Sequence, residues 1–201
     1  MKKTLIITNI IFMIFVSATL CDVKAGELQS EDAEAYNNKG VAYYDTGDFD
    51  KAIECFEKAI KLKPDYADAY NNMGVAYHIK GNYRKAIECF EKTVKLKSDY
   101  PETYKSMGIA YTKIGNYDKA IECFEKALKI TPNDSYTYNN MAIAYIEKGE
   151  YNKAIECCEK AIKINPDDTV AYYNMGVAFY CIGSYEKAND CFQKVSLINN
   201  K

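Results

Sequence analysis

Three residue types recur at a fixed interval in this chain, each with chemistry worth testing. Asparagine stands at Asn38, Asn72, Asn140 and Asn174, with Ser106 as the third member of a series spaced 34 residues apart. A side-chain amide offers both donors and an acceptor. A row of them can therefore pair with the N–H and C=O groups of an extended polypeptide without reading its side chains. An aliphatic row, Val41, Val75, Ile109, Ile143 and Val177, follows three residues behind and would supply apolar contact. Cysteine keeps the same interval at Cys55, Cys89, Cys123, Cys157 and Cys191, so these thiols belong to a repeated architecture and not to one reactive site. His78 is the only histidine, and no acid or nucleophile accompanies it in sequence. The sequence offers no nucleophile–base pair, Cys-x-x-Cys pair, Cys/His cluster or phosphate loop. It predicts no enzyme, no cofactor and no metal site.

The rows are carried by one block that occurs five times, starting at Ala33, Ala67, Pro101, Ser135 and Thr169 and running to Lys201. The units are 33–66, 67–100, 101–134, 135–168 and 169–201, after a polar lead-in at 26–32. A period in this range marks a solenoid, whose units bury their apolar faces only against neighbours. In the second copy Tyr70, Met73, Gly74 and Tyr77 form one apolar stripe. Tyr83, Ala86, Ile87, Phe90 and Val94 form another. The three-to-four spacing is helical. Between the stripes Gly81–Asn82 reads as a turn followed by a helix cap, a device repeated with Asp48, Asn116 and Ser184 and most poorly with Glu150. Each unit is predicted to be a helical hairpin.

Counting places 1–34 from each start, the eighth is Gly40, Gly74, Gly108 and Gly176, but Ala142 in the fourth copy. Glycine inside a helix costs ~1 kcal/mol against alanine, so its recurrence predicts a close helix–helix approach. Alanine at the twentieth place, from Ala52 to Ala188, makes the matching small site. Pro64, Pro132 and Pro166 end the second helices, and Pro101 opens a first helix where proline is tolerated. Glu57–Lys61, Glu91–Lys95, Glu125–Lys129 and Glu159–Lys163 are i,i+4 pairs on a solvated face.

Tyr70, Met73–Gly74, Tyr77, Ala86 and Phe90 occupy the places that define the tetratricopeptide repeat, which the block resembles over residues 33–201. Lys39, Ala142, Cys158 and Phe179 are the departures. The resemblance implies an all-α, right-handed superhelix of five hairpins whose first helices line a concave groove. It implies a protein- and peptide-binding scaffold. Some members grip extended peptides through an asparagine ladder, which the Asn38–Asn174 row resembles. The groove set so predicted is the asparagine row, the aliphatic row, and Tyr44, His78, Lys105, Tyr173 and Tyr180. The family's carboxylate clamp is not expected: Asn72 fits it, but Val41, Glu102 and Ser106 stand where Asn, Lys and Arg are needed. Glu34, Asp45, Asp68 and Glu102, relieved by Lys105 and Lys113, make the early groove edge acidic.

With 201 residues and net charge −2, the chain carries no basic stripe and predicts no nucleic-acid partner. Residues 1–25 differ in kind. Lys2 and Lys3 precede an apolar run from Leu5 to Leu20, then Val23-Lys24-Ala25. This reads as an export signal cleaved after Ala25, giving a periplasmic or secreted protein. The alternatives are an anchor formed by residues 4–20, short for a span of ~20, and a lipoprotein modified at Cys21. Only those two would bring the chain to a membrane. Seven cysteines remain after cleavage. Equivalent points on successive repeats lie ~10 Å apart, beyond disulfide reach, so free apolar thiols are expected. Cys181 is expected to face the inner helix. The last copy is followed by no polar helix, which is expected to leave Cys191, Phe192, Val195 and Ile198 partly bare. An uncovered face invites end-to-end pairing. The second functional expectation is therefore a self-assembling component of an envelope complex, homo-oligomeric through its last repeat. Mass spectrometry of the protein from its host should find Gly26 as the first residue; an intact Met1, or a lipid on Cys21, would refute cleavage at that site.

Overall fold

The structure is a computed structural model describing residues 32–200. The export-signal, anchor and Cys21 expectations fall outside the described residues, as does the lead-in before Asp32. Among the described residues ten helices form five hairpins: α1 Ala33–Asp45 and α2 Phe49–Leu62, α3 Ala67–Ile79 and α4 Tyr83–Leu96, α5 Pro101–Lys113 and α6 Tyr117–Ile130, α7 Ser135–Lys148 and α8 Tyr151–Ile164, α9 Thr169–Cys181 and α10 Tyr185–Asn199. Each first helix begins at the first residue of its block. Among them no helix is long and apolar enough to cross a membrane.

The turn inside each hairpin needs a left-handed residue. Gly81 supplies it at φ 75°, its N–H bonding His78 O while Asn82 N–H bonds Tyr77 O. Asn82, Asp48 and Asn116 then cap the second helices by accepting from the backbone N–H three residues on. Glu150 makes no side-chain cap, and neither does Ser184. Of the surface charge pairs, Glu122–Lys126 closes at 2.6 Å. It lies one turn from the expected Glu125–Lys129.

Helix is held to helix by one recurring contact. A Cβ added at Gly40, Gly74 or Gly108 would lie 2.5–2.6 Å from the ring of Phe56, Phe90 or Phe124. Those rings are 0–1 % exposed. The fourth hairpin changes both partners together. Ala142 replaces the glycine and Cys158 replaces the phenylalanine, and both are fully buried. A methyl group fills space that a ring no longer needs. The sequence shows both departures, but only their contact shows that each compensates the other.

Hairpins then stack through a second set of contacts. Ala69, Ala76, Thr103, Ala110, Thr137 and Ala144, at the third and tenth places, are fully buried. Successive first helices touch, whereas successive second helices do not among the described residues. The stack therefore curves with its first helices inside.

Six of the seven described cysteines are buried, and none of the seven forms a disulfide. Cys191 is 6 % exposed, so the expectation that it would be bare fails. Its own hairpin covers it, whereas Phe192, Val195 and Ile198 are half-buried, as expected, and Val170, Tyr173, Tyr180, Ile182, Tyr185 and Leu197 stand more open. Cys181 is exposed, not covered by a neighbouring helix.

Gly108→Ala should destabilise the protein by about 1–3 kcal/mol through overpacking against Phe124, despite alanine's better helix propensity. Phe124→Cys alone should cost about 3–5 kcal/mol through the cavity it leaves. Combined, the two should lose at least about 1 kcal/mol less than their sum in urea melts; strict additivity would refute the compensation.

Candidate functional site

The inner face is carried by α1, α3, α5, α7 and α9, on which the ninth place forms an aliphatic stripe. The asparagine row flanks this stripe at the sixth place, and its members are not presented alike. Asn38 is exposed, while Asn72, Ser106 and Asn140 are half-buried. Asn72 Nδ2 donates to Asn37 Oδ1 at 3.1 Å. Asn140 Nδ2 donates to the carbonyl of Tyr136 in its own helix at 2.8 Å. Asn174 is only 7 % exposed, with Nδ2 sealed from solvent. The structure thus places Asn174 in the seam between the last two repeats, away from a ligand's reach. A row that is even in sequence is thus uneven in its burial and its partners.

Of the aliphatic row, Val41 is 37 % exposed. Val75, Ile109, Ile143 and Val177 are half-buried, Val75 and Ile109 packing against the central core. Tyr44 is half-buried with its ring 5.4 Å edge-on to Phe49. Tyr173 and Tyr180 are 56 % and 60 % exposed, Tyr180 standing edge-on to Tyr185 at 5.3 Å. His78 packs edge-on to Tyr83 at 5.3 Å. Burial, with the Lys113 ammonium adding to it, holds its imidazole below the ordinary range, so it is neutral at pH 7. The structure brings four members of the predicted set together: Val41, Tyr44, Asn72 and Val75 line a cleft of about 200 Å³ between α1 and α3, with Phe56 and Asp45.

The fifth place does work that sequence reading missed. Asn37 accepts from Asn72. Asn71 Oδ1 accepts from Thr103 Oγ1 at 2.7 Å. Lys105 Nζ reaches Asp134 Oδ2 at 3.0 Å, and Asn139 Nδ2 donates to Asp168 Oδ2 at 2.9 Å. The first two bonds tie one repeat to the next, and the last two tie a first helix to the N-cap residue of the following first helix. Lys105, predicted to meet a ligand, is instead engaged by Asp134 and Glu102, its side chain 13 % exposed. The Asn-Asn doublets at 37–38, 71–72 and 139–140 were the available signal.

A larger cavity, about 350 Å³, opens on the outer side between α4 and α6, floored by Tyr104, Met107 and Tyr111. Lys119 sits 5.3 Å from the Tyr111 centroid and Lys126 lies 6.0 Å from that of Tyr104. The same eleventh-to-nineteenth-place pairing recurs in every repeat, from Lys51 over Tyr43 to Lys187 over Phe179. Lysine stems roof the slots that splayed second helices leave.

The buried thiols are unsuited to nucleophilic chemistry. Burial pushes the Cys89, Cys123 and Cys158 thiols up to about 12 and Cys157 to about 11, so none is a thiolate nucleophile at neutral pH. Among the described residues no group of His, Cys, Asp and Glu could hold a metal.

Family models of the tetratricopeptide repeat match residues 40–81, 65–133, 135–168 and 157–188. The chain belongs to the tetratricopeptide repeat family. No curated protein matches it. Among solved structures it is similar to a crystal structure of MamA, with 30 % identity and TM-score 0.77 over 80 % of this chain and 94 % of that one. It shares its fold with MamA 41-end from Desulfovibrio magneticus RS-1 (22 % identity, TM-score 0.80, 84 % and 95 % covered). It also shares it with YrrB, described as a TPR protein with an unusual peptide-binding site (23 % identity, TM-score 0.76, 89 % and 92 % covered). The molecule is thus a right-handed tetratricopeptide superhelix, a fold of protein-interaction scaffolds that is typically non-enzymatic.

Burial alone would raise the Asp134 carboxyl, but the Thr137 hydroxyl and the Lys105 ammonium outweigh it and hold it below the ordinary range. A depressed carboxyl stabilises the fold above its unfolded value of about 3.9 and loses that contribution as pH falls through the lower folded value. Asp134→Asn should cost on the order of 1–2 kcal/mol at pH 7 and flatten the acid limb of the stability curve. An unchanged acid limb would show that Lys105–Asp134 does not hold α5 to the N-cap of α7.

Proposed function

We propose that the inner face holds an extended polypeptide segment, reversibly and with modest affinity, and that the cleft between α1 and α3 seats one of its apolar side chains. The observation carrying this reading is that cleft. It unites Val41, Tyr44, Asn72 and Val75 from two repeats in one hollow of about 200 Å³, too small for a folded domain and suited to a single side chain. Asn38 stands exposed beside it, able to pair with a ligand's main chain. Asp45 at the lip, with exposed Glu34 and Asp68, favours neutral or basic residues next to the seated one. Tyr173 and Tyr180 offer rigid aromatic area at the other end of the groove. The setting in this proposal is the exported compartment that Lys2, Lys3 and the run Leu5–Leu20 point to.

Selection from a phage-displayed random dodecapeptide library should recover binders carrying one apolar residue among neutral or basic neighbours. Val41→Asp with Tyr44→Ala should weaken them at least about tenfold, equivalent to ~1.4 kcal/mol, with the helical circular-dichroism signal unchanged. Failure to recover binders, or equal binding by the folded double variant, would refute the cleft as the seat.

A further inference from the structure

Among the described residues the first and last hairpins each present an exposed terminal face, and these faces are the two halves of a seam made four times between the described repeats. At each inner seam the incoming first helix presents small residues at its third and tenth places, as in Ala69 and Ala76, fully buried. Its seventh place is methionine. Met73 packs on the cluster of Ile53 and Phe56, and Met107 lines the same cavity as Val94. The receiving repeat thus meets that methionine with its twenty-first and twenty-eighth places. The twenty-first is isoleucine at Ile53, Ile87, Ile121 and Ile155, 6–9 % exposed.

At the ends the same surfaces stand open. On α1 the third and tenth places, Ala35 and Ala42, are exposed, as is Lys39 where the others carry methionine. On the last hairpin Tyr173 and Tyr180 are more than half exposed. Asn189 and Ser196 occupy its twenty-first and twenty-eighth places. The polar changes fall on matched positions of opposite halves: an ammonium on the incoming side, an amide oxygen and a hydroxyl on the receiving side.

We propose that a second copy of this chain docks its α1 onto the α9–α10 face, head to tail, with Lys39 set against Asn189 and Ser196. The contact continues the internal seam, so its geometry is fixed by the repeat and its two halves are different surfaces. Such an interface extends as an open superhelix. The small Ala35 and Ala42 give the close approach, and Tyr173 and Tyr180 lose their exposure. Replacing Met and Ile by Lys and Asn makes the contact weaker than an internal seam, so assembly depends on concentration and the chain does not lock into permanent filaments. Lys39 also excludes the all-apolar receiving faces of the inner repeats, which would bury its charge unpaired.

Sedimentation velocity on the full chain, as its host produces it, should show association that grows with concentration. Ala42→Arg blocks the head and Tyr180→Asp the tail, both at exposed sites. Each alone should sediment as a folded monomer, and their equimolar mixture should give one dimer and nothing larger, through the one remaining head and tail. Lys39→Met with Asn189→Ile and Ser196→Val should tighten association at least tenfold. Wild-type protein that stays monomeric up to about 0.5 mM, or association that survives both blocking changes, would overturn the proposal. So would a mixture that fails to dimerise.

Discussion

A phenylalanine ring lying on a helical glycine sets the dimensions of this molecule. The contact between Phe90 and Gly74, and its equivalents, fixes how near the two helices of a hairpin come. It also buries the largest apolar side chain of each unit completely. A hairpin closed this way has two faces and no core of its own, so each must lean on the next. The narrow first helices, with alanine or threonine at the seam, touch their successors. The second helices, topped with lysine and glutamate, stay apart. Curvature follows from that difference, and it produces the groove inside and the lysine-roofed slots outside. The fourth hairpin shows how strictly volume is conserved: it exchanges ring for thiol and hydrogen for methyl in the same contact.

Polar residues divide between holding the stack and facing solvent. A buried amide must find a partner, and the seams supply them through Asn37–Asn72, Asn71–Thr103 and Asn139–Asp168. These bonds set how one repeat sits on the next, a matter that apolar packing alone leaves loose. The same bonds remove amides from the groove. What remains for a ligand is uneven along the stack: an apolar cleft with an acidic lip at one end, exposed tyrosines at the other. In the proposed reading, such graded ends would orient the bound segment, which a uniform row of asparagines could not.

The cysteines illustrate how repetition separates structure from chemistry. A thiol at the same place in five hairpins is 3–6 % exposed in each, and burial pushes those with resolved shifts upward. They fill small apolar sites. Cys181, outside the pattern, is the exposed one.

The sequence by itself determined the hairpins, their period and the family, because these rest on short-range physics: helical spacing, glycine in a left-handed turn, proline after a helix end. It also named Val41, Tyr44, Asn72 and Val75 among the groove candidates. It could not tell Asn71 from Asn72, or foresee that Asn174 is sealed while Asn38 is open. Adjacent residues on a helix point about 100° apart, and the boundary between seam and groove runs between them. Where that boundary falls depends on how far each repeat rotates on the last, which no single repeat encodes. Lys105 turned into a seam residue for the same reason. Its partner Asp134 lies 29 residues away at the N-cap of the next first helix, and only tertiary packing brings the two to 3.0 Å.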